Sequence, residues 1–156
     1  CINRAESYAN SRAKSDVGLR VGAIAVGDYS ASFGTNHLVS ESYAIPEILN
    51  DRERRLKVVV HAEADAINNS FYQIEVLYCN YHPCLECAEK IVAAKVKYVY
   101  YAANVIPRVS ELWKEKWAAA RRLMESNGVE VVEIRRPIDR WEDEYGCWAD
   151  DGGACK

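Results

Sequence analysis

The stretch Val58-Val59-Val60-His61-Ala62-Glu63-Ala64-Asp65-Ala66-Ile67, answered by Leu77-Tyr78-Cys79-Asn80-Tyr81-His82-Pro83-Cys84-Leu85-Glu86-Cys87, decides how this chain folds and what it holds. Val58-Val59-Val60 leads into His61 at one helix start, and the strand ending at Cys79 leads to Cys84 and Cys87 at the next. Cys84 follows Glu63 by 21 residues. His61, Cys84 and Cys87 supply one imidazole and two thiolates, filling three corners of a Zn²⁺ tetrahedron and leaving the fourth for water. A hydrolytic zinc site requires that open position, and a closed structural site lacks it. Glu63, two residues past the imidazole, is then a carboxylate free to move protons. A lone Cys-x-x-Cys serves equally as a zinc knuckle or redox pair, and a lone His is usually packed or at the surface. The joint spacing, with Glu63 and Pro83 at their offsets, is what favours a catalytic metal. Cys79 and His82 are the nearest fourth ligands; Cys79 is assigned instead to strand packing and His82 to the pocket lining.

The surrounding elements follow from hydrophobic periodicity. Residues 2 to 14 read as a helix, with Ile2, Ala5, Ala9 and Ala13 at helical spacing. Leu19 to Val26 reads as a buried strand ended by Gly27-Asp28, and Tyr29 to Phe33 as its hairpin partner. Residues 34 to 57 are polar and irregular, broken by Gly34, Asn36, Pro46, Asn50 and Asp51, with a short helix at Pro46 to Asn50. Ala62 to Asn68 reads as a helix and Ile74 to Cys79 as a strand. The next helix runs from Cys84 to Ala94, with Ala88, Ile91 and Val92 inward and Pro83 tolerated at its start. Val96 to Tyr101 reads as a strand. Val109 to Asn127 is the longest helix, carrying Leu112, Trp113, Trp117, Ala120 and Met124 on one face and stopped by Gly128. Val129 to Ile134 closes the series. The order α-β-β-α-β-α-β-α-β predicts a three-layer α/β/α sandwich on a five-stranded mixed sheet. Its first hairpin is antiparallel and its last two strands are parallel. Two helix starts then carry the metal, and the positive helix N-terminus favours the thiolate form of Cys84 and Cys87.

Composition narrows the function classes. The chain has 156 residues, 49% of them hydrophobic, which suits one domain with a real core. Its net charge is −3, from 20 basic and 23 acidic residues. The only basic block is Arg52-Glu53-Arg54-Arg55-Leu56-Lys57, so no nucleic-acid partner is expected and a small-molecule substrate fits better. No run of apolar residues is long enough for a transmembrane helix, so no membrane partner is expected. Arg4, Glu6 and Arg12 interrupt any signal-peptide pattern. Six cysteines are present, and Cys1, Cys147 and Cys155 read as bystanders. A Cys-x-x-Cys pair in a core-rich chain of this length places the protein in a reducing cytoplasm.

The pattern His61-x-Glu63…Pro83-Cys84-x-x-Cys87 is that of the zinc deaminases. From about Val21 to Ile134 the chain resembles the cytidine/deoxycytidylate deaminase superfamily, and within it the dCMP deaminases of bacteria and phages. Val21-Gly22-Ala23-Ile24-Ala25-Val26 resembles the family's first strand. His61 to Ile67 resembles its HAE helix, Leu77-Tyr78 through Cys87 its strand-loop-helix, and Trp113 to Val132 its last helix and strand. The resemblance implies a deaminase domain over residues 1–136. Residues 137–156 are left as an acidic, Trp-containing tail that is a lid, a subunit contact or disordered. It implies one catalytic zinc on His61, Cys84 and Cys87, with Glu63 as proton shuttle. It implies Asn36 as a contact to the nucleotide sugar, in Gly34-Thr35-Asn36-His37. Ala62, Tyr81, His82 and Pro83 would line the substrate pocket, with Tyr81 stacking on the pyrimidine. Arg20, Arg52, Arg54 and Arg55 are unranked candidates for a phosphate.

The chain departs from the family pattern at Asp65, where Asn is usual, and at His37, where Gly is usual. The Cys/His insertion that holds a second zinc is not evident, and the segment from Leu38 to Lys57 resembles a variant with a Pro-Glu step. The implied activity is zinc-dependent deamination of dCMP, or a 5-substituted dCMP, to dUMP for thymidylate synthesis, by a homo-oligomer. The alternatives are deamination of cytidine, cytosine, guanine or tRNA adenosine on the same fold, or a non-catalytic zinc-stabilised binding module.

Overall fold

The computed structural model describes residues 2–12, 20–103 and 111–135. Along the chain these form α1 (Ile2–Arg12), β1 (Gly22–Val26), β2 (Ala31–Thr35), β3 (His37–Leu38), a 3₁₀ turn (Glu41–Tyr43), α2 (Pro46–Leu49) and α3 (Arg52–Lys57). Then come β4 (Val59–Val60), α4 (Ala62–Asn68), β5 (Val76–Cys79), α5 (Leu85–Ala93), β6 (Tyr98–Ala103), α6 (Glu111–Ser126) and β7 (Glu130–Arg135). Five strands form one sheet in the order β2-β1-β5-β6-β7. β1 pairs antiparallel with β2 and with β5, while β5-β6 and β6-β7 are parallel. Each parallel step is bridged by a helix, as parallel strands require.

Strand periodicity sorts the side chains to two faces. Ala23, Ala25, Leu77, Cys79, Val99, Tyr101 and Val131 belong to one buried cluster with Ala62 and Ala66 of α4, Ala88 and Ile91 of α5, and Ala120 and Met124 of α6. Ile24 lies on the opposite face, where α1 packs through the buried Ala5 and Ala9. The expected three layers and mixed sheet are therefore present, with the last two strands parallel as expected. Among the described residues no helix is long and apolar enough to cross a membrane.

Turn chemistry moves several boundaries. β2 begins at Ala31 rather than Tyr29 because Gly27 N–H donates to Ser30 O at 2.9 Å, closing a turn that leaves Tyr29 exposed. The strand then continues through Gly34, read from sequence as a breaker, to Thr35. Gly34 is required by packing: a Cβ there would fall on the Ala62 carbonyl oxygen and the Ala66 N. α6 ends as expected at Gly128, whose φ of +81° lets Val129 N–H reach back to Met124 O at 3.1 Å. α5 ends the same way with Lys95 at φ 55°, where a glycine would avoid the strain. The segment 34–57 is more ordered than its composition suggests. It holds α2, α3 and the strand β3, which pairs with β4 through His37↔Val60 and Leu38↔Val59. Two-residue strands carry no readable periodicity. The expected residues 13, 14, 19, 109 and 110, and the tail 137–156, lie outside the described residues.

Candidate active site

His61 is the N-cap of α4 and Cys84 the N-cap of α5, and neither side chain caps its own helix. An N-cap ordinarily turns its side chain to first-turn N–H groups. Here the imidazole and thiol turn towards each other instead. Cys87 sits one turn into α5 on the same face as Cys84. β4 delivers His61 to this point, and the loop after β5 delivers Cys84. His61 Nδ1 lies 3.2 Å from Cys84 Sγ and 3.4 Å from Cys87 Sγ. The three ligand atoms all lie within 4.8 Å of one another.

Tetrahedral zinc with Zn–N of about 2.0–2.1 Å and Zn–S of about 2.3 Å needs N···S edges of about 3.5 Å. Donor chemistry and spacing therefore fit one such ion. Neither Cys79 nor His82 joins the group. Cys79 packs in the core, and burial holds its thiol well above the usual range.

Glu63, the second residue of α4, is 3% exposed and places Oε2 3.6 Å from Cys87 Sγ. Burial, then the neighbouring Cys84 charge, pushes its carboxyl up to about 7. The Cys87 thiol beside Cys84, followed by His61, holds Cys84 down at about 4. The same contact and burial push Cys87 up. The hydrogen bond to Cys84 raises His61 to about 9. This cluster keeps a thiolate at neutral pH and a carboxyl group able to take or give a proton there.

The remaining expected residues sit in different settings. Asn36 is buried, and its Oδ1 accepts from Val21 N–H at 2.8 Å. The β3-β4 register sets it opposite His61, one step beyond the His37↔Val60 pair. Ala62 and Pro83 are buried next to the ligands they adjoin in sequence. His82 Nδ1 lies 2.6 Å from Pro83 O, and its ring stacks on Trp117 at 5.3 Å and meets Tyr101 edge-on at 4.5 Å. Burial lowers the His82 pKa. Tyr81 is half-buried and meets Trp117 edge-on at 5.5 Å. The arginines engage locally: Arg20 with Asn10 O, Arg54 with Asp51, Arg55 with Leu49 O, and Arg52 over the Trp113 ring.

Three contributors were missed in the sequence. Asn80 is buried and clamps β1, accepting from Gly22 N–H at 2.9 Å and donating to Arg20 O at 3.2 Å. Trp117 supplies the wall behind Tyr81 and His82. Asp65 accepts from Thr35 N–H at 3.0 Å. The available signal for Asp65 was its i, i+4 spacing from His61, which puts both on one face of α4.

The model of the cytidine and deoxycytidylate deaminase zinc-binding region matches residues 2–103. The chain belongs to the cytidine and deoxycytidylate deaminase family, and its His61, Cys84 and Cys87 are positioned to bind that family's zinc. Among solved structures, dCMP deaminase from the cyanophage S-TIM5 in apo form superposes with a TM-score of 0.59 at 24% identity, over 85% of this chain and 93% of that one. The same cyanophage enzyme in complex with dCMP and dUMP gives 0.59 at 23% identity over the same shares, 85% and 93%. These two likenesses show a shared fold. A structure from studies of A-to-I editing by tRNA:A34 deaminases aligns at a TM-score of only 0.39, with 23% identity over 65% of this chain and 70% of that one. No curated protein matches the sequence.

Proposed function

We propose that this protein is a zinc-dependent hydrolase that deaminates dCMP, or a 5-substituted dCMP, to the corresponding dUMP, supplying thymidylate synthesis. Glu63 carries the reading. Its carboxyl is buried, stands 3.6 Å from the Cys87 sulfur, lies outside the ligand group and is tuned to about 7. A zinc-stabilised binding module has no use for such a group, since burying an ionisable side chain costs stability.

His61, Cys84 and Cys87 would hold the ion. Bound zinc lowers the pKa of a water ligand from about 15.7 to about 7, so a nucleophile exists at neutral pH. Glu63 would take one proton from the attacking water and pass it to the pyrimidine ring nitrogen, then take the second, from the hydroxyl now on the ring carbon, and pass it to the leaving amine. Water supplies the oxygen of the product carbonyl, and the C–N bond breaks to release ammonia. Asn36 contacts the sugar, Tyr81 stacks on the base, and Ala62, His82 and Pro83 wall the pocket.

Family membership supports deamination. The dCMP–dUMP complex of the cyanophage enzyme, on the same fold, supports the substrate. The net charge of −3 disfavours a tRNA substrate. The test is ammonia release by purified protein from cytosine, cytidine, deoxycytidine, dCMP, dCTP, 5-methyl-dCMP and guanine. The expected result is a preference for the monophosphates. A stronger preference for an unphosphorylated compound would replace dCMP as the substrate.

A further inference from the structure

We infer that Asp65 is a positioning residue, pinning the Thr35–His37 turn to α4 so that Asn36 meets the substrate beside His61 and Glu63. This role rests on the reading of Asn36 as a substrate contact and deepens it.

The Asp65 carboxylate draws in donors from both sides. Oδ2 accepts from Thr35 N–H at 3.0 Å and lies 3.9 Å from His37 Nδ1, while Oδ1 accepts from Asn69 Nδ2 at 3.1 Å. Asn69 Nδ2 also donates to Phe33 O at 3.2 Å. His37 Nδ1 lies 2.9 Å from Thr35 O. A carbonyl only accepts, so this nitrogen carries the proton. Both residues flanking Asn36 are thus tied into one cluster, and the strand leading to it is tied to α4.

From the other side, Val21, the residue just before β1, holds Asn36 itself. Its N–H donates to Val21 O at 3.2 Å, and Val21 N–H donates to its Oδ1 at 2.8 Å. The turn is therefore gripped between Val21 and α4. His61, Glu63 and Asp65 alternate along the start of α4, so one short helix sets the metal, the proton carrier and, through Asp65, the sugar contact. An acceptor-only group suits the position. An amide there keeps the Thr35 bond through its oxygen but turns an NH₂ group towards Asn69 Nδ2.

The experiment compares wild-type protein with Asp65→Ala and Asp65→Asn, reading kcat, KM for dCMP, product inhibition by dUMP, and zinc content. For Asp65→Ala, KM and the dUMP inhibition constant rise together by about tenfold while kcat stays within about twofold, the pattern of lost binding common to ground and transition states. Asp65→Asn recovers part of the loss, with zinc retained. An unmoved KM in Asp65→Ala overturns the role, and so does a fall in kcat without a change in KM, or zinc loss from Asp65→Asn. Absence of deamination by the wild-type protein defeats the proposed function itself. Wild-type turnover with an unmoved KM in Asp65→Ala defeats only the assignment of Asp65.

Discussion

At the level of single side chains, Glu63 joins two properties that usually conflict, burial and charge. It is pushed from a reference value of 4.5 up to about 7 in the folded protein. Folding therefore favours its protonated form. The associated stability is whole below the unfolded value of 4.5 and is lost as pH rises through about 7. Glu63→Gln removes the ionisable group while keeping its shape. In zinc-chelated protein this variant should be more stable than wild type at about pH 8, by up to about 3 kcal/mol, and close to it at about pH 5. Thermal melts at the two pH values check this, and an equal difference at both would refute it. With zinc bound, the same variant should keep the metal and lose ammonia release by about 10²–10⁴-fold, the usual share of a general acid–base group. A side chain held for catalysis at the expense of stability gives that pair of results; a structural one does not.

At the level of elements, α4 is the keystone and β2 is its seat. Ser32 Oγ donates to Ala66 O at 2.7 Å, and Gly34 brings the strand against the helix backbone. Gly34→Ala would drive a Cβ into the Ala62 carbonyl oxygen and the Ala66 N, neither of which is the end of a flexible side chain. The expected cost is about 1–3 kcal/mol, as for other overpacked interiors. Because the displaced helix begins at His61, zinc affinity should fall as well. Gly27→Ala is the control. Its Cβ would meet Gln73 O, away from α4, so it should lower the melting temperature without loosening zinc. Equal zinc affinities in the two variants, measured by competition with a chromophoric chelator, would separate α4 placement from metal binding.

At the level of the whole molecule, the metal-binding group joins two helix starts, one following the separate β3-β4 ribbon and one following β5 of the five-stranded sheet. Ligation there stabilises the native state by mass action, about 2.7 kcal/mol when free zinc is 100 times its dissociation constant. For a domain of this size that corresponds to a drop of about 5–10 °C in Tm on chelation. Chelation should also abolish ammonia release, and added zinc should restore both. Calorimetry alongside the activity assay checks the pair, and activity that survives complete chelation would exclude a metal-dependent reaction. The low net charge belongs to this scale too. Acidic and basic residues are nearly balanced, at 23 and 20.

The sequence alone determined the five strands of the main sheet and the helices between them, the mixed pairing and the metal-ligating triad, because apolar periodicity and the spacing of His61, Cys84 and Cys87 are local properties that survive without a structure. Gly128 likewise declared the end of α6, since its backbone freedom is intrinsic. Tertiary structure alone decided the rest. Gly34 looked like a breaker and is a strand residue, because its meaning depends on a helix packed across it. The β3-β4 ribbon, which sets Asn36 opposite His61, is too short to leave a pattern. The clasp of Asp65 on Thr35 joins residues far apart in sequence. The spacing from His61 singled out Glu63 in the sequence, but only its burial in the fold raises its proton affinity towards neutrality.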